Sequence, residues 1–140
     1  MDQVLEVWLA ASLKAHDFIA PEYWRSQLES MRNIYIPASE AYVYKQGKRV
    51  VGFYALAEDT LAAIFVAPDL QGTGIGKSLL AHAKSKRHIL SLSVYKANAA
   101  GIRFYQSQGF EIAAAGLDEA VGEEEYTMQW GPLNTAPLPG

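Results

Sequence analysis

The sequence predicts an α/β fold in which helices pack around a mostly antiparallel sheet. Three observations predict it. Apolar residues near the N-terminus recur with helical spacing, a series of short runs alternates with period two between tight turns, and residues 64–78 run from an apolar strand through a glycine-rich loop into a helix start.

Val4, Leu5, Trp8, Leu9 and Leu13 form one stripe on a first helix. Pro21 is a good first-turn residue and opens a second helix that packs Tyr23, Trp24, Leu28 and Met31. Strands follow at 41–44 and 49–56, joined by a turn at Gln46-Gly47-Lys48, and then at 60–66 after a turn at Glu58-Asp59. Beyond the glycine loop, the pattern predicts a helix over about 76–86 burying Leu79, Leu80 and Ala83. A strand at 90–95 points Leu90, Leu92 and Val94 to one side. Asn98 is a favoured N-cap, Ala99 to Gln108 reads as helix, and Gly109 suits the left-handed position that ends one. The last pair of strands is expected at 110–114 and 126–130. Residues 1–130 read as one domain, and 131–140, with three prolines and two glycines, as a flexible tail.

Composition narrows the function classes. At 140 residues and 50% hydrophobic the chain supports one core and is too short for two. A net charge of −3 argues against a nucleic-acid partner, which calls for a basic field. The absence of cysteine excludes a disulfide scaffold, a thiolate zinc site and an acyl-cysteine intermediate, so any acyl transfer through this chain would be direct. No run reaches the roughly 20 apolar residues of a membrane span and no signal peptide opens the chain, so a cytoplasmic location is the default expectation. His16, His82 and His88 show no ligand spacing; they read as surface or loop residues, and no metal is assigned.

The glycine loop carries the most chemistry. Gly72, Gly74 and Gly76 let the backbone curl and aim successive N–H groups at one anion, and the following helix adds its unpaired donors and dipole. Spacing decides which anion. The Walker pattern aligns Gly76, Lys77 and Ser78 but needs glycine where Gln71 stands, and the dinucleotide fingerprint needs glycine where Lys77 stands. Gln71 and the lack of a metal-binding carboxylate after a second apolar strand disfavour a phosphotransferase.

What remains, Gln-x-x-Gly-x-Gly from Gln71 to Gly76, resembles the acyl-CoA pyrophosphate loop of the GNAT superfamily of N-acetyltransferases. Companion motifs stand in the family's order: Val66-Ala67-Pro68 resembles the end of its central fourth strand, and Asn98 followed by Phe104-Tyr105-Gln106-Ser107-Gln108-Gly109-Phe110 resembles its second signature. The likeness covers roughly residues 2–130 and extends to small bacterial single-domain members. It implies a GNAT-like mixed sheet with helices on both faces, two strands ending at Val66 and Tyr95 that splay apart, and acetyl-CoA entering the gap from one face while an amine enters from the other. It further implies main-chain contacts to pantetheine from Ile64, Phe65 and Val66. Gln71, Gly72, Thr73, Gly74, Ile75, Gly76 and Lys77 would hold the pyrophosphate, and Asn98 would sit near the thioester. The family usually begins with a strand before the first helix, whereas this chain opens almost inside that helix. A first strand is missing from the pattern, the start is misassigned, or another chain supplies the edge; monomer and homodimer both stay open.

When an amine attacks a thioester the departing thiolate needs a proton. Tyr105, two helical turns from Asn98 and on its side, is the general-acid candidate; the alternative is a packed core tyrosine. Lys77 reads either as a point charge for the phosphates or as a solvated first-turn lysine. Lys84, Lys86, Arg87 and His88 read either as contacts to a 3′-phosphate or as charges set against a helix C-terminal dipole.

The resemblance implies a primary amine as acceptor, with a protein lysine or N-terminus favoured over a small molecule. Freeing a lysine amine at neutral pH costs roughly 4.6 kcal/mol, so a base helps. Glu58, Asp59 and a water relay are the candidates. Asp118, Glu119, Glu123, Glu124 and Glu125 read as an acidic loop that steers a cation or is merely solvated. The competing class is a non-catalytic acyl-CoA sensor.

Overall fold

In the computed structural model, described over residues 1–131, a six-stranded sheet of order β1-β2-β3-β4-β6-β5 carries helices on both faces. The elements run α1 (Asp2–Ala15), α2 (Pro21–Ser26), the single turn α3 (Leu28–Ser30), a π-helical turn (Met31–Tyr35), β1 (Glu40–Gln46), β2 (Arg49–Ala57) and β3 (Thr60–Val66). After a 3₁₀ turn (Pro68–Leu70) come α4 (Ile75–Lys86), β4 (Leu90–Tyr95), α5 (Ala99–Ser107), β5 (Glu111–Asp118) and β6 (Glu123–Trp130). Strands β3 and β4 match the predicted bounds. Among the described residues the chain enters α1 directly and the sheet begins with β1 at its edge. The proposed tail lies, apart from Gly131, outside the described residues.

Two apolar layers clamp the sheet. The α1–α2 side contributes Val4, Leu5, Trp8, Ile19 and Trp24 against Phe53. The α4 side packs Ile75, Leu79, Leu80 and Ala83 against Val51, Tyr54, Leu92 and Met128. Covered on both faces, β2 is buried from Val50 through Leu56. A Cβ at Gly52 would come within 3.1 Å of Leu79 Cδ1 and of the Phe65 carbonyl, so α4 packs close against the β2 backbone there.

Irregularity opens the middle of the sheet. Ala55 pairs with Ala63 and Leu56 with Leu61, which leaves Ala62 as an extra residue that bends β3. The parallel partners β3 and β4 then share one registered pair, Thr60 with Ser91, and diverge. This is the splay that the family resemblance implied.

The last hairpin is longer than predicted. Asp118, Glu123, Glu124 and Glu125 belong to the β5–β6 ladder, with Asp118 opposite Glu123, and only residues 119–122 form the loop. Glutamate is a poor strand former, yet Glu123, Glu124 and Glu125 open β6, only Glu124 of the three fully exposed, with their backbone paired to β5. The second helix also departs from expectation, stopping at Ser26 and continuing through α3 into the π turn. No helix among the described residues is long and apolar enough to cross a membrane.

Candidate active site

The strand-to-helix loop is built to leave donors free. After β3, the Ala67 N–H bonds the Val51 carbonyl (2.8 Å), and Pro68 starts the 3₁₀ turn that Leu70 closes on Ala67 (2.9 Å). The Gln71 amide donates to the Val66 carbonyl (3.1 Å) and the Thr73 hydroxyl to that of Leu70 (2.5 Å), so side chains brace the loop from inside. Gly74 has φ +92° and serves as N-cap of α4, a conformation costly to any residue with a Cβ. No protein acceptor among the described residues takes the backbone N–H groups of residues 71–77. A Cβ on Gly72 or Gly74 would meet nothing within 4 Å, so the loop lies open beside these donors. Free convergent N–H groups at a helix start suit an anion such as a diphosphate.

That loop forms one end of a cleft of about 480 Å³. Of the residues expected at the cofactor, Ile64, Phe65, Val66, Gln71, Gly72, Gly74, Gly76, Lys77 and Asn98 line it, together with Tyr105. Two do not. Thr73 turns back to brace Leu70, and the Ile75 side chain is buried in the core against α4's sheet face, so any part they play is through main chain. Asn98 caps α5 as predicted, its Oδ1 accepting from the Gly101 N–H at 3.0 Å. Ala11, Ala15 and His16 of α1 and its cap also line this cleft. The small residues at 11 and 15, one turn apart, were a readable sign of close approach.

A second cleft of about 430 Å³ lies between the aromatic residues of α1 and α2 and the diverging strands, with Trp8, Tyr23, Trp24, Tyr35 and Tyr95 among its walls. The two clefts share four residues: His16, Ile64, Phe65 and Tyr105. They therefore meet where β3 separates from β4.

Tyr105 is half-buried at this junction, its ring 5.4 Å from that of Phe104 and 5.8 Å from that of Phe110. Burial pushes its phenol up to about 12, so it is fully protonated at physiological pH. The hydroxyl has no hydrogen-bond partner among the described residues.

His16 stands half-buried in the turn after α1, at that helix's C-cap, with its ring centroid 5.1 Å from Trp24, 5.1 Å from Tyr95 and 5.9 Å from Phe18. Desolvation lowers its pKa to about 4, and Nδ1 is buried without a partner, as are Ser12 Oγ one turn earlier and Trp24 Nε1. An isolated histidine with no ligand spacing gave no sequence signal for this role.

Other candidates fall away from the junction. Glu58 and Asp59 line neither cleft; Arg87 donates to the Glu58 carbonyl at 2.9 Å and its Nε lies 3.8 Å from the Asp59 carboxylate. The basic run is occupied structurally. Lys84 donates to the Gln108 carbonyl and lies 5.1 Å from the Trp130 ring, Lys86 stands over Tyr42 at 5.4 Å, and Arg87 pairs with Glu40 at 3.1 Å. His82 bonds the Tyr54 hydroxyl through Nδ1, and His88 is exposed.

A family profile described as an acetyltransferase (GNAT) domain matches residues 37–112. Peptidyl-lysine N-acetyltransferase YiaC of Escherichia coli K12 is 33% identical over 133 residues, covering 94% of this chain and 91% of that protein. The chain belongs to the GNAT acetyltransferase family. Peptidyl-lysine N-acetyltransferase YjaB of the same organism is 28% identical over 123 residues, covering 87% and 83%. The solution structure of apo YjaB superposes with a TM-score of 0.81 at 24% identity, covering 92% of this chain and 89% of that one. The PaiA N-acetyltransferase of Thermoplasma acidophilum, in complex with coenzyme A, shares the fold with a TM-score of 0.73 at 18% identity, covering 93% and 91%. As a GNAT enzyme, the protein transfers an acetyl group from acetyl-CoA to an amine. The free N–H groups of residues 71–77 fit the diphosphate of that donor.

Proposed function

We propose that this enzyme acetylates lysine side chains of proteins in the cytoplasm, with Tyr105 as the general acid. The relatives YiaC and YjaB are named as peptidyl-lysine acetyltransferases, which supports a protein lysine over a small amine as acceptor. The observation that carries the reading is the meeting of the two clefts at Tyr105: a donor in the glycine-loop cleft and an amine in the aromatic cleft come together beside one protonated phenol.

Each residue has a task. The N–H groups of 71–77 hold the diphosphate, with Lys77 as a nearby positive charge, and Asn98 and the edge of β3 at Ile64 to Val66 line the path of the pantetheine arm. Bound acetyl-CoA supplies the activated thioester. Tyr105 hydrogen-bonds the sulfur and gives it a proton as the C–S bond breaks. With the phenol near 12 and a thiol near 8.5 to 9, full proton transfer is uphill by roughly 4 to 5 kcal/mol, so Tyr105 must be reprotonated in concert, from the attacking amine.

The test is incubation of purified protein with acetyl-CoA and lysine-bearing peptides, reading free thiol and acetylated product together. One thiol per acetyl-lysine supports the proposal; acetylation confined to small amines contradicts the protein-lysine acceptor.

A further inference from the structure

The amine side of the junction lacks an assigned proton acceptor once Glu58 and Asp59 are placed elsewhere. Glu125 lines the aromatic cleft, directly opposite Tyr95 in the β4–β6 ladder. No Lys or Arg side chain lines that cleft, and His16 is neutral there, so Glu125 is its one formal charge at neutral pH among the described residues. Its carboxylate has no hydrogen bond or ion pair, in contrast to Glu124, which pairs with Lys96 at 3.5 Å. Asp118, the neighbouring acid on β5, is already satisfied: Oδ2 accepts from the Tyr95 hydroxyl at 2.7 Å and Oδ1 from the Ala120 N–H at 3.1 Å.

We propose that Glu125 seats the ammonium group of the acceptor and takes its first proton, which makes the acceptor a primary amine on an aliphatic stem. This inference rests on the reading of the aromatic cleft as the acceptor side. An unpaired carboxylate at the end of an aromatic-walled cleft matches a lysine chain: methylenes pack on rings, the cationic head gains from their π faces, and the charge meets its counterion. Burial and the adjacent Asp118 hold the Glu125 carboxyl above the usual carboxylate range, which makes it a stronger base than a solvated glutamate. The other titratable groups lining this cleft are the Tyr23, Tyr35, Tyr95 and Tyr105 phenols and His16, with burial raising Tyr23, Tyr95 and Tyr105.

The protons balance. Glu125 accepts one from the ammonium and releases it to solvent; the free amine forms the new C–N bond as the C–S bond breaks. Tyr105 protonates the sulfur and regains its proton from the second N–H of the attacking nitrogen, leaving an amide with one hydrogen and a free thiol.

The experiment is steady-state acetylation of a lysine peptide from pH 6 to 10 by the unaltered enzyme, Glu125→Gln and Glu125→Asp, with coenzyme A affinity measured on each. The proposal expects Glu125→Gln to bind coenzyme A within twofold of the parent, to raise KM for the peptide about tenfold, and to lower kcat about 100-fold at pH 7 with recovery toward high pH, where the amine is already free. Glu125→Asp restores part of the rate. An unchanged KM and pH profile in Glu125→Gln, with the parent active, overturns the Glu125 assignment alone. A parent that acetylates no lysine peptide overturns the acceptor reading and this inference with it.

Discussion

Gly74→Ala separates the conformational demand of the loop from its ligand. The substitution adds one methyl group at φ +92°, where no protein atom lies within 4 Å of it. Its cost to folding is therefore backbone strain, roughly 1 to 2 kcal/mol, which lowers Tm by about 3 to 8 °C in a chain of this size. Its effect on the cofactor is separate, because Gly74 lines the glycine-loop cleft. A methyl that displaces one charge-assisted N–H contact to the diphosphate removes roughly 1.5 to 3 kcal/mol, a 10- to 150-fold loss of affinity. Gly122→Ala is the control. Gly122 has φ +70°, is equally open and sits in the β5–β6 loop away from both clefts, so it carries the same strain and no ligand contact. Thermal melts and isothermal titration with coenzyme A give both numbers. Equal loss of Tm in the two variants with lost affinity only in Gly74→Ala is expected; equal affinity in both would refute the placement of the diphosphate on this loop.

Tyr105→Phe should lower kcat by about 10²- to 10⁴-fold while coenzyme A affinity and Tm hold, since the hydroxyl bonds no protein group; retention of rate in a peptide acetylation assay removes Tyr105 as the acid. For His16 the native pKa of about 4 lies below the unfolded value of 6.5, so the unfolded chain binds a proton first as pH falls. Its contribution is complete above pH 6.5 and is lost between there and pH 4, on the order of 3 kcal/mol. Urea unfolding should show this extra acid sensitivity in the parent and not in His16→Gln; parallel pH curves would contradict the burial argument. Asn98→Ala removes the Oδ1 cap of α5 and should cost about 1 kcal/mol of stability together with coenzyme A affinity, measured by the same melts and titrations.

Legibility in the sequence followed local chemistry. The β3 strand, the glycine loop and the Asn98 cap were readable because each depends on residues adjacent in the chain. The β5–β6 hairpin was underestimated because the glutamates that open β6 look like a loop, and their pairing with β5, and at Glu125 also with β4, is a property of topology. His16 was missed for the same reason: its cage is drawn from α1, α2 and β4, residues up to 79 positions apart, and no local pattern announces it. Thr73 and Ile75 fell inside the motif, yet their side chains serve the loop and the core. Glu125 was visible as one acid among several, and its isolation in an aromatic cleft emerged only with the fold.

The central claim is that the backbone N–H groups from Gln71 to Lys77 grip a diphosphate. Amide chemical shifts recorded while titrating coenzyme A, and separately pantetheine, which lacks the diphosphate, test it directly. The amides of Gly72, Gly74 and Gly76 should shift and gain exchange protection with coenzyme A and stay put with pantetheine; unmoved loop amides at saturating coenzyme A would contradict a diphosphate held there.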